Sequence, residues 1–113
     1  MALSSELPVY KASYDLLLAI YQMVKHFARE YKYTLGESLK NQTVELLTLI
    51  YRANSRQDKV EVIQSAREHL EVIRLHVRLT KDLHQINMEK FVFINTNIEN
   101  VSKQLSGWQK SQK

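Results

Sequence analysis

The sequence predicts an all-α protein, an antiparallel up-down four-helix bundle, and three observations carry that expectation. Only two glycines and one proline punctuate 113 residues, too few for the turns that many short strands would need. Apolar residues recur at three- and four-residue spacing in four successive stretches, the period of a helix that buries one face. The breaks between those stretches are short and polar, and short connections make consecutive helices antiparallel neighbours. The chain reads as one domain spanning residues 1–113, with helices over about 8–31, 35–54, 58–85 and 87–108.

The first helix is expected to begin at Pro8, because proline suits a first turn in which the missing N–H would have no intrahelical partner. Val9, Leu16, Ile20, Met23, Val24 and Phe27 form its apolar stripe, and Tyr10, Tyr14, Leu17 and Tyr21 widen that stripe along one flank. Residues Tyr31 to Thr34 interrupt the period, and Thr34 followed by Glu37 has the spacing of a capping box for the second helix. Leu39, Leu46, Leu49, Ile50 and Ala53 are its core face. Asp58 with Glu61 repeats the capping spacing for the third helix, and Asn87 is the expected N-cap of the fourth. Phe91, Ile94, Ile98, Val101, Leu105 and Trp108 give that last helix its apolar side.

The third helix carries more than one pattern. Val62, Ile63, Ala66, Leu70, Ile73 and Val77 are the expected core stripe, while Val72, Leu75, Leu79, Leu83 and Ile86 form a second apolar stripe on another side. Such a stripe either contacts a second neighbour within one bundle or packs against another copy of the chain. Arg67, Arg74, Arg78 and Lys81 share a further side over nearly four turns, and no acid falls between Glu71 and Asp82. A basic row of this kind is either a solvated face or a set of forked donors matched to phosphate oxygens. Lys103, Lys110 and Lys113 follow, with no acid after Glu99.

Composition removes other classes. Sixteen Lys and Arg against twelve Asp and Glu leave a net charge of +4, which favours an acidic partner such as RNA, DNA or an anionic protein surface. Cysteine is absent, so disulfides, thiolate nucleophiles and Cys-ligated zinc are excluded and a reducing compartment fits. Met1 to Tyr10 lacks the basic start and apolar core of a signal peptide, and the longest apolar run, Leu16 to Tyr21, falls far below the ~20 residues that cross a bilayer. No membrane association is expected. His26, His69, His76 and His84 include no inward Glu-x-x-His pairs, so neither a di-metal bundle nor any other metal site is expected. Gly36 and Gly107 are isolated and form no phosphate loop. The expectation is a non-enzymatic protein without catalytic residues or cofactor.

The stretch from Phe27 to Gly36 (Phe-Ala-Arg-Glu-Tyr-Lys-Tyr-Thr-Leu-Gly), then Leu46 to Asn54, and finally Leu105-Ser106-Gly107-Trp108-Gln109-Lys110 resemble the Avd family. These are the accessory variability determinants of diversity-generating retroelements, within the wider group of four-helix proteins that includes the ribosomal-RNA intervening-sequence proteins. The resemblance covers nearly the whole chain; Ser106 stands where the family pattern has a glycine. It implies a homo-oligomeric ring of five copies with a basic exterior, binding a reverse transcriptase and its template RNA while complementary DNA is made with mutations. A cytoplasmic setting, bacterial or phage-encoded, goes with it. Arg67, Arg74, Arg78, Lys81 and Lys110 are then the residues expected to meet RNA, DNA or polymerase, and Val72, Leu75, Leu79, Leu83 and Ile86 the oligomer interface. Two alternatives stay open: a bundle of the intervening-sequence type without a polymerase partner, and a purely structural protein-interaction bundle.

Overall fold

The computed structural model describes residue 3 and residues 6–112, an elongated body of 44 × 22 × 21 Å. Four long helices build it: α1 Pro8–Val24, α3 Leu35–Asn54, α4 Val60–Asp82 and α5 Met88–Ser111, with a short α2 at Arg29–Lys32. Among the described residues there is no strand. Helix α1 packs on α3 and α5, and α4 packs on α3 and α5, so the four long helices stand at the corners of a square. Short turns reverse the chain at each step, which makes the bundle up-down and antiparallel.

The expected core faces turn inward. Leu16, Ile20, Leu39, Leu46, Ile50, Ile63, Ile73, Ile94, Ile98 and Leu105 are all fully buried, and at ~1.5–3 kcal/mol per large apolar side chain they dominate the stabilising side of folding. Phe91 and Trp108 are only partly buried against this core. Three polar residues share the interior unannounced by the apolar period: Ser13, Thr43 and Thr80. Each hydroxyl donates to a carbonyl of its own helix, Ser13 to Val9 at 2.8 Å, Thr43 to Leu39 at 2.7 Å and Thr80 to Val77 at 2.7 Å. A hydroxyl satisfied within its own turn can be buried without a partner elsewhere.

Helix boundaries depart from the local reading in three places. The first helix does not run to residue 31. It ends at Val24, where i→i−3 bonds from His26 to Met23 (3.2 Å) and Phe27 to Val24 (3.1 Å) tighten the last turn, and Phe27 swings into the core. Ala28, with ψ at 147°, then starts α2. The third helix begins at Val60, with Lys59 rather than Asp58 at the N-cap position and no side-chain cap. Instead, the Lys59 ammonium donates to the carbonyls of Ala53 (3.0 Å) and Asn54 (3.1 Å), placing a cation on the negative end of α3. That helix ends at Asp82, not residue 85. His84 adopts φ 61°, and bonds from Gln85 N to Thr80 O (2.9 Å) and His84 N to Lys81 O (3.0 Å) close a Schellman turn.

The caps follow chemistry in one case of three. Asn87 accepts from Lys90 N at 2.8 Å and starts α5 as expected, although the helix continues to Ser111. Thr34 occupies the N-cap of α3 but makes no cap bond; its hydroxyl donates backward to Glu30 O at 2.8 Å. Glu37 pairs with Lys40 at 3.3 Å, so the capping box does not form.

Candidate nucleic-acid interface

The basic row of α4 faces the seam with α5, and most of its donors already have partners. Arg67 donates through Nη1 to Gln109 Oε1; Gln109 in turn donates to Gln64 Oε1 at 3.0 Å and to Val60 O at 3.2 Å. Arg74 lies between two carboxylates, 3.2 Å from Glu71 Oε1 and hydrogen-bonded through Nη1 to Glu99. Partial burial alone would lower its pKa, but the hydrogen bonds to Glu99 and Glu71 and their negative charges outweigh that penalty and hold it above the ordinary arginine value. Arg78 pairs with Asp82 at 3.3 Å on an exposed surface, where such a pair exchanges readily with solvent. Lys81 places Nζ 5.0 Å above the Phe91 ring and has no carboxylate partner among the described residues. Lys110 is exposed on the last turn of α5. Lys113 lies outside the described residues.

Glu99 is the group a reading of α4 alone misses. It belongs to α5 and reaches across the seam, adding a third carboxylate to the two, Glu71 and Asp82, with which α4 itself pairs the row.

The second apolar stripe divides. Leu75 is 65% exposed and Val72 and Leu79 are each 42% exposed, on the outer side of α4. Leu83 is half-buried beyond the end of the helix, and Ile86 packs against the core. The stripe is thus not explained by contacts inside the bundle for its first three members, and is so explained for its last. A separate apolar surface lies on α1 and α3, where Tyr14, Leu18, Tyr21, Val44 and Tyr51 are exposed; Lys40 Nζ sits 4.8 Å above the Tyr21 ring.

A further cationic region, absent from the reading of the sequence, forms where α1 ends and α5 begins. Antiparallel packing brings Lys25, His26, Arg29 and Lys32 to the same end of the bundle as Lys81, His84 and Lys90. Gln85 joins the two turns, its Oε1 accepting from Ala28 N at 2.7 Å. Between them opens a pocket of about 440 Å³ lined by Met23, His26, Ile86, Glu89, Lys90 and Phe93, among others. The spacing of Lys25, Arg29 and Lys32 at four and three residues is the one signal that pointed here.

His76 bridges α4 to α3, its Nδ1 2.9 Å from Gln42 Oε1. His69 Nε2 is buried without a hydrogen-bond partner, and no cluster of three metal-ligating side chains occurs among the described residues. None of the described helices is long and apolar enough to cross a membrane.

No curated protein matches the sequence. The bAvd-like family matches residues 8–112, from the first residue of α1 to the residue after α5. Coextensive with the whole bundle, that match establishes membership: the chain belongs to the bAvd-like family, an Avd (accessory variability determinant) family.

Proposed function

We propose that this chain is a non-catalytic accessory protein of a diversity-generating retroelement, which binds the reverse transcriptase and its template RNA and supports mutagenic complementary-DNA synthesis. The family match across residues 8–112 carries this reading. The charge supports it: +4 per chain multiplies on assembly into a field strong enough to hold a polyanion. Within the basic surface, Arg78, Lys81 and Lys110 are the foremost phosphate or polymerase contacts. Arg67 and Arg74 contribute through donors that Gln109, Glu71 and Glu99 leave over.

The working form is a homo-oligomer, a ring of five copies. Two unlike apolar surfaces support self-association: Val72, Leu75 and Leu79 on α4, and Tyr14, Leu18, Tyr21, Val44 and Tyr51 on α1 and α3. Unlike surfaces that meet head to tail close into a ring when the rotation closes. The cell's cytoplasm, where the retroelement is transcribed, is the setting.

The test is binding of purified protein to structured RNA and to the reverse transcriptase across a salt series, with mass measured by light scattering. Affinity for both that falls steeply with salt is expected. A monomer that ignores RNA at low salt and does not retain the polymerase overturns the reading in favour of a plain protein-interaction bundle.

A further inference from the structure

We infer that the pocket between the α1–α2 turn and the start of α5 receives a single unpaired nucleobase of an RNA strand, stacked on Phe93, with Lys90, Lys25 and Arg29 holding the flanking phosphates. This rests on the RNA-binding reading above and adds to it a place and a strand type.

Five features point to that occupant: volume, floor, wall, rim and charge. The pocket measures about 440 Å³, within the range of small-ligand clefts. Its floor is apolar: Met23 belongs to the core and Ile86 packs against it. Its wall is the Phe93 ring, 52% exposed on α5, with Lys90 Nζ 5.2 Å above it. An exposed aromatic ring carrying a cation is the kind of platform on which bases stack irrespective of sequence, the base taking the place of the mobile ammonium.

The rim supplies what the edge of a base requires. Gln85 is committed, accepting from Ala28 N and donating to Leu83 O at 2.9 Å. His26 is exposed, and Glu89 offers acceptor oxygens suited to an exocyclic amine. Asn87 uses its carbonyl oxygen on Lys90 N and keeps its amide donors.

Charge decides between a nucleotide and an apolar side chain of a protein partner. Lys25, Arg29, Lys32 and Lys90 have no carboxylate partner among the described residues, and Glu30 and Glu89 are the acids interspersed with them. Lys90 and Glu89 line the pocket itself, and Lys25, Arg29 and Lys32 stand at the same end of the bundle. The further acids there, Glu37 and Asp82, are paired with Lys40 and Arg78, so the surplus charge beside the aromatic pocket is cationic and complements a phosphodiester strand. A duplex hides its base faces in the stack, so only a base already splayed from its neighbours can enter.

The experiment measures the affinity of wild type and Phe93→Ala for three labelled ligands of equal length: a single-stranded RNA, an abasic strand of the same charge, and an RNA duplex. The expected result is a loss of roughly five- to a hundred-fold for the single strand in Phe93→Ala, with little change for the other two. Phe93→Tyr restores binding, and circular dichroism shows the fold intact. Equal single-strand affinity in wild type and Phe93→Ala overturns the pocket while leaving the RNA-binding reading in place. If wild type binds none of the three, the RNA-binding reading falls and the pocket with it. Retention of the reverse transcriptase by both proteins is measured alongside; if Phe93→Ala loses the polymerase but keeps the single strand, the occupant is a protein segment and the inference is overturned.

Discussion

Gln85 Oε1 accepts a hydrogen bond from Ala28 N at 2.7 Å, tying the turn that follows α1 to the turn that precedes α5. Its own amide group donates to Leu83 O at 2.9 Å, so the side chain is held at both ends. Replacing Gln85 with Ala removes both bonds, and because Ala28 is exposed water can take over its N–H. The expected loss is about 1 kcal/mol, read as a lower midpoint in urea with an unchanged slope. No change in midpoint would show that the two turns are held independently.

Gly36 has no room for a side chain. A Cβ there would stand 2.5 Å from Val24 Cγ1 and 3.4 Å from Tyr31 O, and Val24 is fully buried. Gly36→Ala is expected to destabilise by about 1–3 kcal/mol through overpacking. In the double variant with Val24→Ala the penalty should be clearly smaller than the sum of the two single penalties. Additive values would place the strain elsewhere.

His84 sits at φ 61°, in the left-handed position where helices commonly end on glycine. His84→Gly should raise stability by about 1 kcal/mol by removing the clash between Cβ and the following carbonyl. Thermal unfolding would register this as a higher Tm; a lower Tm would mean that the imidazole itself stabilises the turn.

Leu75 is the most exposed member of the apolar stripe on α4. Leu75→Glu is expected to lower the mass seen by light scattering to that of the single chain at micromolar concentration, while the helical signal in circular dichroism stays constant. An assembly of unaltered mass would remove α4 from the interface and shift attention to α1 and α3.

Arg74 and Lys81 separate the two roles of the basic row. Arg74→Met breaks the ion pairs with Glu71 and Glu99 and should cost up to about 1 kcal/mol of stability, with only a small effect on RNA affinity. Lys81→Met should leave stability within about 0.5 kcal/mol. It should also lower the slope of log affinity against log salt by about 1 for each phosphate that the ammonium no longer neutralises. The reverse pattern would assign the phosphate-binding role to Arg74.

Most of the inward faces were legible residue by residue, although Phe91 and Trp108 are only partly buried and Tyr14 and Tyr21, on the flank of the α1 stripe, are exposed. Val9, Leu16 and Ile20 on α1, or Ile94, Ile98 and Val101 on α5, recur at helical spacing and are all buried, because burying one side of a helix imposes a period visible within a few turns of the chain. Asn87 was legible for the same reason, since an N-cap bond closes over three residues. Ser13, Thr43 and Thr80 were not, because a hydroxyl that bonds its own helix behaves in packing as a small apolar group. Where the first long helix ends was hidden too: Phe27 leaves the helical path for a core that four segments build together.

Local periodicity therefore dictates which residues form helices and which side of each helix turns inward. Which cations remain available, and what lies between them, depends on groups far apart in the chain. Glu99 reaches Arg74 from 25 positions away, and His26 and Phe93 come to line one pocket only after α1 and α5 have packed side by side. Charge pairing and pocket formation act through space over a few ångströms, and a distance of that kind between separate helices is set by the folded bundle.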